Sequence, residues 1–257
     1  MYIRAAHDDA TIPMLGELIR DNPLGILVSS IRSESHPLIQ SSHIPFVLDI
    51  KNEGDETELG VLRGHLARQN PQSKSMIEAI RSQQEAKPEN VLEQEVMVLF
   101  TASAHHYVTP KFYVETKPRT GKVVPTWNYA AAQVYGKATI YFDSKSEETS
   151  SFLSRQLDDL SELAEVSLMG HDGIGTRQEA WKVSDAPGPY IKLMQKNIIG
   201  IEIGIERLEG KFKMSQDKPP GDVQGVVNGF KALGSDVGTQ MAELVKERAL
   251  LKGLKLN

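Results

Sequence analysis

Hydrophobic positions along this chain follow two periods, one near 3.6 residues and one of 2, and their order sketches the fold. Ile12, Leu15, Leu18 and Ile19 share one face of a predicted helix, with Asp8 or Asp9 placed to cap it. Asn22-Pro23-Leu24-Gly25 stops that helix. Residues 26–31 read as a buried strand. Residues 43–48 read as a second strand, in which Pro45 marks an edge or a bulge. The polar run 51–58 is a hairpin loop, and residues 60–66 return as a third strand. Pro71 opens a short helix to about Arg81, followed by a polar, mobile stretch over 82–93. Strands are predicted at 95–100, 106–108 and 133–142. Beyond Asp143 the period changes. Residues 146–166 form an amphipathic helix with Phe152, Leu153, Leu157, Leu160 and Leu163 on its apolar side. A short helix at 189–195, strands at 198–205 and 211–215, and helices at 223–233 and 237–251 complete the chain. Parallel strand–helix–strand alternation is missing, which disfavours a doubly wound sheet. The expectation is an α+β fold, mainly antiparallel, with a closed or split β-barrel and flanking helices.

Composition narrows the function. The 257 residues include 40% hydrophobic and 25% charged side chains, an ordinary globular balance. The formal net charge is −5, which counts against direct DNA binding through phosphate neutralisation and against a polybasic membrane anchor. With no cysteine, disulfides, thiolate metal sites and cysteine nucleophiles are excluded, and a reducing compartment is the simple reading. Residues 1–9 carry no apolar run of the secretory kind, so a cytoplasmic location is expected.

Polar clusters interrupt otherwise plain strands at Ser42-His43-Ile44-Pro45, at Arg63 to Pro71, at Pro125-Thr126-Trp127-Asn128-Tyr129 and at Lys213-Met214-Ser215-Gln216. A flavin mononucleotide needs such a mixture. Its phosphate wants cations and N–H or O–H donors, for which Arg68, Lys213, Ser42 and Ser215 are candidates. Its ring wants aromatic walls, for which Trp127 and Tyr129 are candidates, although spacing alone favours both as core aromatics. His43 and His65, placed on adjacent strands, suit a proton shuttle, a haem iron or a plain hydrogen-bonded pair; no carboxylate at ligand spacing supports a metal. His105 and His106 point to opposite faces of a regular strand and cannot share one ion. Gly170 to Thr176 lacks the Gly-Lys-Ser/Thr ending of a phosphate loop and reads as a connector.

Six stretches, in order, resemble the PaiB family of FMN-binding negative transcriptional regulators. They are Asn22 to Gly25, Ser42 to Pro45, Gly64 to Gln72, His105 to Tyr113, Val124 to Tyr129 with Val134-Tyr135-Gly136, and Leu208 to Gln216. The resemblance implies an FMN-binding split barrel over residues 1–215, followed by a C-terminal helical extension over 216–257. It also implies a homodimer with the flavin at the subunit interface. Its relatives serve as regulators, flavin-dependent oxidoreductases and haem-handling proteins, so haem is the alternative cofactor. Carried over position by position, the ligand contacts are Ser42, His43, His65, Arg68, Trp127, Tyr129, Lys213, Ser215 and Gln216. Four departures stand out. Ser103-Ala104 replaces a Gly-Pro, Gln133 a His, Ser73 a Trp, and Lys218 lies where an Arg is common.

Overall fold

The computed structural model describes residues 1–7, 10–83 and 90–256. The predicted caps Asp8 and Asp9, and most of the polar stretch after Arg81, lie outside the described residues. The described residues divide into two compact units. The first comprises residues 1–22, 101–133 and 209–257; the second comprises residues 23–100 and 134–208.

In the second unit the strands are β1 (Leu24–Ser30), β2 (Ile39–Pro45), β3 (Val47–Asp49), β4 (Val61–Ala67) and β5 (Val96–Thr101). To these are added the second half of β7 (Thr126–Tyr141) and most of β8 (Ile198–Lys213). Their order is β2-β1-β5-β7-β8-β4-β3. The pairings β1–β2, β1–β5, β3–β4 and β4–β8 are all antiparallel. β2 also comes against β4, so the two ends of this order approach each other as a barrel wall does. The fold is the expected mainly antiparallel α+β split barrel. Leu27, Val98, Ile140, Ile201 and Ile203 alternate inward to form its core.

Three helices belong to this unit: α2 (Pro71–Gln83), α4 (Glu147–Glu162) and α5 (Gly188–Gln195). The helix predicted over 146–166 is α-helical only to Glu162 and continues as a π-turn over Leu163–Leu168. α4 is tied to the sheet by Arg63, a buried cation. Its guanidinium grips Asp49 through two bonds of 2.5 and 2.9 Å and reaches Asp159 at 2.6 Å and Gln156 at 3.3 Å. Burial opposes its charge, but the hydrogen bonds it donates to Asp49 and Asp159 outweigh that and hold it more firmly protonated. β7 and β8 approach closely at Gly136, where a Cβ would fall 2.0 Å from the Gly204 carbonyl oxygen. β2 ends at Pro45 and stands at one end of the strand order, in keeping with the expected edge, and the Phe46 N–H donates to the Pro23 carbonyl at 2.9 Å. The loop Gly170 to Thr176 is a connector with left-handed glycines at 170, 173 and 175, and His171 is held to Glu165 at 2.7 Å.

The first unit holds α1 (Ile12–Asp21), β6 (His106–Val108), α3 (Thr116–Thr120), the start of β7, the end of β8, α6 (Pro220–Lys231) and α7 (Asp236–Leu251). Thr11 caps α1 by accepting from the Met14 N–H at 3.4 Å, and Leu15, Leu18 and Ile19 are buried. Residues 216–257 pack in this unit together with the N-terminal helix. The separate strand expected at 211–215 is the end of the 16-residue β8. Its side chains at 206 and 207 are exposed, which breaks the hydrophobic pattern while the backbone stays extended.

Candidate functional site

The predicted residues fall in both units, and each set has its own geometry. In the first unit the corner after β8 is knotted to the start of β7. The Lys213 ammonium donates to Thr126 Oγ1 and, at 2.5 Å, to the Trp127 carbonyl. Burial pulls its pKa below the ordinary lysine value, and Lys218, Lys211 and Arg4 push the same way against Asp217. Ser215 Oγ donates to Asn128 Oδ1 at 3.1 Å from a left-handed backbone with φ of 62°. The Gln216 amide donates to the Phe212 carbonyl at 2.5 Å and accepts from the Met214 N–H at 2.7 Å. These three side chains therefore spend most of their hydrogen bonds on the fold itself.

The knot presents aromatic rings to solvent. Trp127 is 53% exposed, so the core-aromatic reading of this residue is overturned. Its odd position in β7 points it away from the buried Asn128 and Ala130. Tyr129 is half-buried, with the Lys211 ammonium 5.2 Å from its ring centroid. Two buried polar atoms here have no hydrogen-bond partner among the described residues: Asn128 Nδ2 and the Tyr113 hydroxyl. Burial, then Asp217, Asp222 and Tyr107, raise the Tyr113 pKa. Asn128, Tyr113, Tyr107 and His105 were absent from the carried-over contacts, although all four lie inside the quoted motifs.

In the second unit Ser42 accepts from Asn70 Nδ2 at 3.0 Å, and Gln72 Nε2 reaches Ser29, the Leu27 carbonyl and the Gln40 carbonyl. This lock pins the N-terminus of α2 to β1 and β2. Arg68 is also largely spent. Its Nε donates to the Lys196 carbonyl at 3.1 Å, and its Nη2 to the Phe142 and Ile198 carbonyls at 2.6 and 3.3 Å. Burial, then Arg81, lower its pKa, with Asp143 opposing. Only the Nη1 corner is left for a ligand, which removes the two-pronged grip expected of a phosphate-binding arginine.

His43 and His65 do not sit on hydrogen-bonded neighbours. β2 pairs with β1, placing His43 opposite Ile26, and β4 pairs with β8, placing His65 opposite Gly200. His43 is exposed. His65 is half-buried, its Nδ1 has no partner among the described residues, and burial lowers its pKa. Among the described residues, no group of His, Asp or Glu is arranged to hold a metal ion.

The first unit also contains an open cavity of about 460 Å³, lined by Glu17, Asp21, Glu243 and Glu247 and by Arg248, whose guanidinium stacks 3.4 Å over Phe212. None of the nine predicted contacts lines it. Four carboxylates suit it poorly to an anionic phosphate ester. The residues around Trp127 fit a flavin better, with exposed rings for its flat heterocycle.

Residues 1–207 match the family profile described as "Putative FMN-binding domain". The chain is 56% identical over 263 residues to an uncharacterized protein of Aspergillus fumigatus, covering 99% of this chain and 100% of that one. It is 24% identical over 251 residues to the Bacillus subtilis protease synthase and sporulation protein PAI 2, covering 96% and 98%. Among solved structures, a conserved hypothetical protein of Mycobacterium tuberculosis aligns with a TM-score of 0.46 at 11% identity, covering 85% and 94%.

Proposed function

Because the chain belongs to the PaiB-type FMN-binding domain family, we propose that it is a homodimeric, cytoplasmic flavin sensor that reports its ligand to a protein partner. The observation that carries this reading is the exposed Trp127, held at its own carbonyl by a desolvated lysine. A tryptophan left wet on a rigid, internally bonded corner is suited to binding a flat ring. The B. subtilis relative is named a protease synthase and sporulation protein, which supports a regulatory role. The net charge of −5 favours action through a partner over a direct grip on DNA. No helix among the described residues is long and apolar enough to cross a membrane.

Trp127 and Tyr129 would wall the ring. Lys213, Ser215 and Gln216 would hold those walls in place. A bound flavin supplies reversible redox chemistry, and the protein supplies position and electrostatics. The test is an absorbance scan of the purified protein with added FMN, before and after filtration. Retained flavin bands are expected, and their absence sinks the proposal. A salt-dependent gel shift with genomic fragments is expected to show no specific band; a specific band at low salt would replace the partner with DNA.

A further inference from the structure

Alternation along β6 sorts its first two residues. His106 turns inward, its ring 5.5 Å from that of the fully buried Phe230 in an edge-to-face contact. Tyr107 therefore points to the other face, and His105, just before the strand, is exposed. Tyr107 is the direct antiparallel partner of Trp127, and their ring centroids are 6.2 Å apart at 70°. The His105 ring lies 6.3 Å from that of Trp127. All three are exposed, Tyr107 at 40%. Among the described residues β6 pairs with β7 alone.

We propose that His105, Tyr107 and Trp127 form a stacking ledge for the isoalloxazine ring, and that ring contact rather than a phosphate grip carries the affinity. The inference rests on the flavin-binding reading and assigns His105 and Tyr107 to it. The 70° and 45° tilts make an angular seat with Trp127 at its centre, open to a planar heteroaromatic group in the stacked or edge-on contacts that aromatic pairs prefer. Lys213 donates to the carbonyl of Trp127 itself, so the central ring is fixed at its backbone before any ligand arrives. The motif's polar side chains, Lys213, Ser215 and Gln216, direct their bonds to protein atoms and leave little for a phosphate.

The chain has two tryptophans, so Trp181→Phe leaves Trp127 as the sole emitter. That variant is titrated with FMN and with riboflavin, reading tryptophan emission together with flavin retained on filtration. Saturable quenching by both ligands is expected, with dissociation constants within about tenfold of each other. In the same background Tyr107→Ala and His105→Ala should each weaken binding roughly tenfold, the scale of one lost ring stack. Val114→Ala, exposed and off the ledge, should bind as the parent does. Retained flavin without quenching, or parent-like binding by Tyr107→Ala, would overturn the ledge and leave the flavin-binding reading standing. FMN bound more than about a hundredfold tighter than riboflavin would restore the phosphate grip, since that ratio equals about 2.8 kcal/mol. No retention of either flavin would remove both readings together.

Discussion

Ser215 offers a test in which two substitutions separate two energies. Its hydroxyl donates to Asn128 Oδ1 at 3.1 Å, both side chains are buried, and its backbone has φ of 62°. Among the described residues it alone, other than glycine, is left-handed. Ser215→Ala removes the donor and keeps the Cβ on that backbone. Asn128 then has neither amide atom paired, because its Nδ2 already lacks a partner. A buried acceptor left unsatisfied costs about 1–3 kcal/mol. Ser215→Gly loses the same bond but relieves the left-handed strain, about 1–2 kcal/mol. Glycine's greater freedom in the unfolded chain returns about 0.5–1 kcal/mol of that gain. The glycine variant should therefore be destabilised less than the alanine variant, by roughly 0.5–1 kcal/mol. Urea unfolding followed by far-UV circular dichroism measures both, provided the slope m is unchanged. An alanine variant as stable as the parent would show that the Asn128 bond contributes nothing. A glycine variant less stable than the alanine one would refute the strain argument.

The barrel was legible because its strands are short apolar runs with clear punctuation. Asn22 to Gly25 stops α1, and Pro45 marks the break between β2 and β3. Individual contacts were harder to read. Arg68 and Lys213 are the residue types a phosphate requires, but nothing in a linear motif says whether a cation faces a ligand or the carbonyls of its own fold. Carbonyls of Phe142, Lys196 and Ile198 claim Arg68, and all are more than 70 residues away in the chain. Trp127 was misread for a related reason. Alternation along β7 fixes which residues share a face, and only β6 and the corner at Lys213 decide which face is wet. Arg63 gave a signal that went unused. It stands within the apolar alternation of β4, where a cation is tolerated only with hydrogen-bonded partners, and the part-exposed Asp49 and Asp159 supply them. A buried grip is itself a reason for a polar residue to sit in a motif, so the Lys213-Met214-Ser215-Gln216 stretch is explained as much by corner geometry as by ligand contact.

Gly136→Ala places a Cβ 2.0 Å from the Gly204 carbonyl oxygen, so two strand backbones must part. A loss of about 1–3 kcal/mol is expected in urea unfolding, and a parent-like midpoint would refute so close an approach. Arg63→Met leaves Asp49 and Asp159 facing each other. The expected loss is about 1–3 kcal/mol, because both carboxylates are part-exposed and Arg155 still reaches them. Parent-like stability would mean that Arg155 suffices. His65 gives a pH dependence whose sign follows from its burial. Its folded pKa lies below the ordinary value of 6.5, so between those two values the unfolded chain binds more protons than the folded one. Stability should therefore fall as pH drops below about 6.5, and the loss should level off below the folded pKa. Replacing His65 with Gln, which cannot take up a proton, should flatten that part of the profile and leave the region above pH 7 with a constant offset. The measurement is the unfolding free energy of parent and variant across this range. Parallel profiles would show that His65 is not desolvated.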